Sequence, residues 1–167
     1  TGVSKYKQED GHFELKDKAD SELVTAIESG EVKTAPDEKA SDSSKTPVTL
    51  YENFYRNETE DYDADGKKDG TIRVYTKTED INLACLIEGS FPQNENEIAV
   101  DRMHADNVGM KVGDTIKVSG KEFKVSGLIA YVNYSTLHEK KTDMMFDAIK
   151  FDVAMVLSLI HISEPTR

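Results

Sequence analysis

The clearest alternation of apolar and polar positions runs through Thr115-Ile-Lys-Val-Ser-Gly-Lys-Glu-Phe-Lys-Val125. Ile116 and Val118 alternate with Lys117, and Phe123 and Val125 alternate with Lys124, the period of a hairpin with one buried face. The turn falls at Ser119-Gly120-Lys121, where glycine can take a positive φ. Gly127 permits a bend or bulge before Leu128 to Tyr131 extends the strand. Shorter strands are predicted over His12–Leu15, Val48–Tyr55, Thr71–Thr76, Asn82–Ile87, Glu97–Val100 and Phe151–Val156. Helical spacing appears in Ala19, Leu23, Ala26 and Ile27, with Asp17 or Asp20 as the capping acid and Gly30 as the stop. Asp101 caps a short helix reaching Asn107. The sum predicts an α+β fold of mostly short antiparallel strands with one N-terminal helix and one short helix.

Between these elements the pattern lapses. Glu31 to Pro47 holds almost no large apolar residue and reads as a mobile loop over residues 31–47. Residues 57–70 read as an acidic loop. Val132 to Asp143 is polar and loop-like, and Met144 to Ile149 could be helical. Leu157 to Arg167 resembles the conceptual translation of a sequencing adapter, so it is set aside as a non-native tail and His161 is given no role. The natural domain is then expected to span residues 1–156, truncated near Val156.

Composition narrows the function. Of the 167 residues 37% are hydrophobic and 32% charged, which suits a modest core with long polar loops. The formal net charge of -11 opposes phosphate neutralisation, so nucleic acid is not an expected partner. The lone Cys85 cannot form an internal disulfide. No stretch approaches the roughly 20 apolar residues of a membrane helix. The absence of an initial Met leads us to expect a fragment of a longer protein.

Four pieces then recur in a recognisable order: Leu86-Ile-Glu-Gly-Ser-Phe-Pro, Asn96-Glu-Ile-Ala-Val-Asp, Met110-Lys-Val-Gly-Asp-Thr-Ile-Lys-Val and Phe123-Lys-Val-Ser-Gly-Leu. The set, spanning Leu83 to Tyr131, resembles the MacB-like core of FtsX-type ABC-transporter permeases in Gly89, Phe91, Pro92, Asn96, Glu97, Ile98, Val112, Gly113 and Asp114. Phe13–Ile27 and Phe151–Val156 resemble other parts of that domain, whereas the insertions at Glu31–Pro47 and Asn57–Gly70 depart from it. The resemblance implies a non-catalytic extracytoplasmic domain on the outer face of the cell membrane. It would couple cytoplasmic ATP hydrolysis, by an ABC ATPase reached through transmembrane helices, to export or to control of a peptide, lipoprotein or cell-wall enzyme partner. A secreted calcium- or carbohydrate-binding β module is the alternative, and a stray piece of a cell-wall enzyme a third reading.

Candidate chemistry is sparse. Asp61-Tyr-Asp-Ala-Asp-Gly66 has the Asp-x-Asp-x-Asp-Gly opening of a calcium loop, with Asp61, Asp63, Asp65 and Asp69 as ligands for Ca2+. Position twelve, however, is Ile72 where a bidentate acid belongs, and a solvated acidic turn is favoured. His12, His104 and His138 are far apart in sequence, and His104 is expected at a surface or boundary. Ser90 lacks a nucleophile-elbow pattern. Cys85 reads as a small core residue, and Tyr51, Phe54 and Tyr55 as sheet packing.

Overall fold

Alternation along six strands gives each of them one face toward a shared interior. A computed structural model describes residues 5–12, 14–15, 17–29, 48–132, 149–160 and 162. The chain divides into two units, one of Thr1–Glu9 with Asn53–Arg167 and one of Asp10–Glu52.

The larger unit holds strands β1 (Tyr55–Asp61), β2 (Gly70–Thr76), β3 (Cys85–Gly89), β4 (Glu97–Asp101), β5 (Thr115–Val118), β6 (Lys121–Ala130) and β7 (Phe151–Val156). Their order is β3-β6-β4-β7-β2-β1-β5, and an added β5–β6 pairing closes six of them into a barrel. Only β3 stays outside the ring, paired antiparallel to the second half of β6. Closure follows from the length of β6: its first four residues pair β5 and its last four pair β3, while its other edge takes β4.

The interior is lined by Ile72 and Val74 of β2, Ile98 and Val100 of β4, Ile116 and Val118 of β5, Phe123 and Val125 of β6, and Ala154 and Val156 of β7. A second cluster, including Tyr75, Ala99, Ile129, Val153 and Met155, occupies the opposite face of β2, β4, β6 and β7. These strands are therefore buried on both faces, as parallel pairing favours. A register shift opposite Ile98 and Ala99 lets β6 turn both Val125 and Leu128 inward, three residues apart, with Ser126 as the extra residue.

Helix α2 (Arg102–Val108) follows β4 directly. Asp101 caps it by accepting from Met103 N at 2.8 Å and His104 N at 3.0 Å, and Gly109 ends it in the left-handed conformation at φ 78°. In the smaller unit, helix α1 (Ser21–Glu28) begins at Asp20, which accepts from Leu23 N at 2.7 Å; none of its residues is buried.

The α+β expectation, with its MacB-like core, is overturned. Strands hold 36% of the described residues against 13% helical, and six of the strands close into a barrel. The strands are mostly antiparallel, as expected, with two parallel pairings, β2 with β7 and β4 with β6, that local pattern does not announce. The amphipathic spacing of Ala19 to Ile27 did produce a helix, within the smaller unit. Other expectations shift as well. Residues 12, 14 and 15 are not in a strand, and residues 48–54 precede β1 rather than forming one. The acidic loop narrows to residues 62–69, since Asn57 to Asp61 are strand. Tyr-Arg-Asn-Glu-Thr-Glu-Asp has little intrinsic strand preference, and its pairing with β2 from Tyr55↔Tyr75 to Glu60↔Gly70 supplies what propensity does not. The loop expected over residues 31–47, the polar stretch and possible helix at residues 133–148, His138 and His161 lie outside the described residues. In the tail set aside as non-native, Ile162 is 3% exposed and packs with Leu159 against the interior cluster.

β3 and β6 meet at paired glycines, Gly89↔Gly127. A Cβ at Gly127 would overlap Ser90 O and lie 2.9 Å from Glu88 O, so alanine there requires a backbone shift. Gly120, at φ 81°, has open space around a Cβ. We expect Gly127→Ala to cost about 3 kcal/mol in urea unfolding, at the upper end for overpacking. Gly120→Ala should cost about 1 kcal/mol, from positive φ alone. Equal costs would contradict the close approach.

Candidate functional site

Period two places Glu60 of β1 and Asp152 of β7 on the inward face, with Ile72 between them in the ring: Ile72 pairs Asp152 and Glu58. The first turn of α2 brings in His104. All three side chains are fully buried. His104 Nε2 lies 3.1 Å from Glu60 Oε1 and 4.0 Å from Asp152 Oδ2. The three offer ligand atoms within 4.8 Å of one another.

Each group is oriented by its own element. Asp152 Oδ1 accepts from Val153 N at 2.7 Å and from Asp101 N at 3.3 Å, which turns Oδ2 toward His104. The Asp101 cap fixes the start of α2 and hence the direction of His104. The Tyr62 ring meets the His104 ring edge-on with centroids 6.1 Å apart. Neither Glu60 oxygen nor Asp152 Oδ2 has a hydrogen-bond partner of good geometry.

Burial raises both acids. Desolvation lifts the Glu60 carboxyl from 4.5 to about 7; the facing Asp152 carboxyl partly offsets this and the Asp69 charge adds to it. Asp152 is raised well above the carboxylate range, first by desolvation and then by the Glu60 charge, with His104 opposing. Such an arrangement can share protons between two acids and an imidazole, or hold a cation among them.

The acidic loop is organised differently. Asp61 accepts from Asp65 N at 3.0 Å and Gly66 N at 2.9 Å; Asp63 accepts from Asp65 N at 3.1 Å; Asp65 accepts from Lys67 N at 2.8 Å. Asp69 accepts from Tyr62 N at 3.0 Å. Asp61, Asp63 and Asp65 converge within 4.8 Å, whereas Ile72 at the twelfth position is fully buried in the barrel. Lys67 Nζ bonds Asp65 Oδ2 at 2.6 Å, and that contact lowers the Asp65 carboxyl.

The motif residues do structural work. Gly89 takes φ 72° where a Cβ would overlap Ser126 O. Pro92 is buried and Phe91 packs against the outer cluster. Asn96 O accepts from Lys124 N at 2.8 Å, Glu97 accepts from Gln93 N at 2.7 Å, and Ile98 is fully buried. Val112 packs against the interior cluster, Gly113 N donates to Val125 O at 2.8 Å, and Asp114 accepts from Lys111 N at 2.8 Å. Cys85 is half-buried and receives the Tyr6 hydroxyl at 2.9 Å, while Tyr51 and Phe54 are exposed. His12 is exposed.

His104, expected at a surface or boundary, is instead the centre of the buried cluster. A usable signal lay in Phe151-Asp-Val-Ala-Met-Val: an acid inside an apolar strand demands a partner. Glu60 carried no such signal, because its neighbours are acidic too. No family model, no curated protein and no solved structure matches this chain.

Because the Glu60 carboxyl is raised on folding, its contribution is fully present below its unfolded value of 4.5 and is lost as pH rises through about 7. Glu60→Gln stays neutral and escapes that loss. In chelator, urea unfolding should show the variant's stability relative to the natural chain increasing from pH 5 to pH 8, by up to about 3 kcal/mol. A constant difference would mean that Glu60 is not buried as an acid.

Proposed function

We propose that this chain is the extracytoplasmic domain of an FtsX-type ABC-transporter permease, a non-catalytic coupling module on the outer side of the cell membrane. The reading is supported by one observation above others: across Leu83–Tyr131 the resembling residues sit at the joints of one continuous block, β3–β4–α2–β5–β6. Gly89, Asn96, Gly113 and Asp114 fix turns and strand ends through backbone contacts. A barrel pinned in this way would serve as a rigid lever. Its energy would come from a cytoplasmic ATPase through transmembrane helices of the parent protein, and its partner would be a peptide, lipoprotein or cell-wall enzyme. Among the described residues, no helix is long and apolar enough to cross a membrane.

A calcium-binding β module is the second reading, favoured by the convergence of Asp61, Asp63 and Asp65. The buried Ile72 and the use of the aspartates in backbone hydrogen bonds weigh against it.

Sequencing the complete parent gene tests the first reading. We expect apolar segments of about 20 residues on both sides of this domain. A gene encoding none would end the permease reading.

A further inference from the structure

We propose that Glu60, His104 and Asp152 form an interior site for one first-row divalent cation of the zinc type, bound by one imidazole and two carboxylates. The inference rests on the cluster alone and stands or falls independently of the permease reading.

Three observations carry it. The donor set of one nitrogen and two oxygens suits zinc, manganese or iron(II) better than calcium or magnesium, which prefer oxygen alone. The geometry is close to what such an ion needs. Bonds of about 2.0–2.2 Å in a tetrahedron place ligand atoms about 3.4 Å apart. His104 Nε2 and Glu60 Oε1 are already at 3.1 Å, Asp152 Oδ2 is 4.0 Å from Nε2, and the three ligand atoms lie within 4.8 Å of one another. The charge is also unresolved. Two fully buried carboxyls face each other with three oxygens lacking a hydrogen-bond donor, and no lysine or arginine among the described residues forms an ion pair with either. Buried carboxylates are costly unless their charge is balanced, and one imidazole cannot balance two of them. A dication balances the two acids and supplies the missing partner at once.

The surroundings match a ligand shell. Asp152 Oδ1 is held by two backbone N–H groups, leaving Oδ2 to bind, as supporting hydrogen bonds do at metal centres. The strand partners Val118 and Ile72 are fully buried and apolar, which shuts the site off from bulk substrate. The cation would tie β1, β7 and α2 together.

The competing arrangement is a metal-free network in which the acids share a proton. To separate the two, the full chain is stripped with chelator, dialysed, and titrated with zinc and with cobalt(II). We expect one equivalent bound, a rise in thermal midpoint, and a visible cobalt spectrum of four- or five-coordinate intensity. Glu60→Gln and Asp152→Asn should weaken zinc binding at least about tenfold, and Asp63→Ala with Asp65→Ala should leave it unchanged. If Glu60→Gln fails to fold, the stoichiometry and cobalt spectrum of the natural chain decide. Retention of less than one equivalent, a cobalt spectrum identical to the aquo ion, or loss of binding on changing the loop aspartates would each overturn the assignment.

Discussion

The barrel closes through two residue pairs at the end of one strand. Glu60↔Val118 and Asp61↔Lys117 join β1 to β5, supported by Ser119 N donating to Thr59 O at 2.8 Å. Everything inside depends on that short seam. Without it the six strands form an open sheet, Val118 loses its cover, and Glu60 faces water instead of His104. The seam therefore sets both the hydrophobic interior and the electrostatics of the acid cluster.

Closure also explains why such an unpromising strand exists. β1 contributes almost no apolar side chain to the core, so burial of its own residues cannot hold it. Backbone pairing on both edges does, with β2 along six residue pairs and β5 along two. The acids at its end are carried inside by the pleat: Glu60 turns inward because Glu58 does, two residues earlier. A buried carboxyl is then the consequence of register, and its neighbours must answer it. Asp101 does so indirectly, by capping the helix that delivers His104.

Much of this architecture was legible, and the illegible parts have physical causes. The hairpin of Thr115–Val125, the Asp101 cap and the strand at Phe151–Val156 all depend on local pattern, and each appears where pattern put it. Barrel closure is non-local, because it joins residues near 60 to residues near 118. Parallel pairing of β2 with β7 joins positions about 80 apart. Neither leaves a mark in a window of neighbouring residues. The cluster was hidden for the same reason. Glu60, His104 and Asp152 lie on three separate elements, and only Asp152 stood out against an apolar background. The acidic loop drew attention instead, because its spacing is local, although its aspartates chiefly fold the turn between β1 and β2.

The seam itself can be measured by native-state hydrogen exchange with residue resolution. If the barrel is closed, the amides of Ser119 and of the paired β5 residues exchange slowly, within about tenfold of those at the centre of the β2–β7 ladder. Exchange of those amides at the rate of an unprotected loop, with the β2–β7 ladder still protected, would show an open sheet and contradict the account.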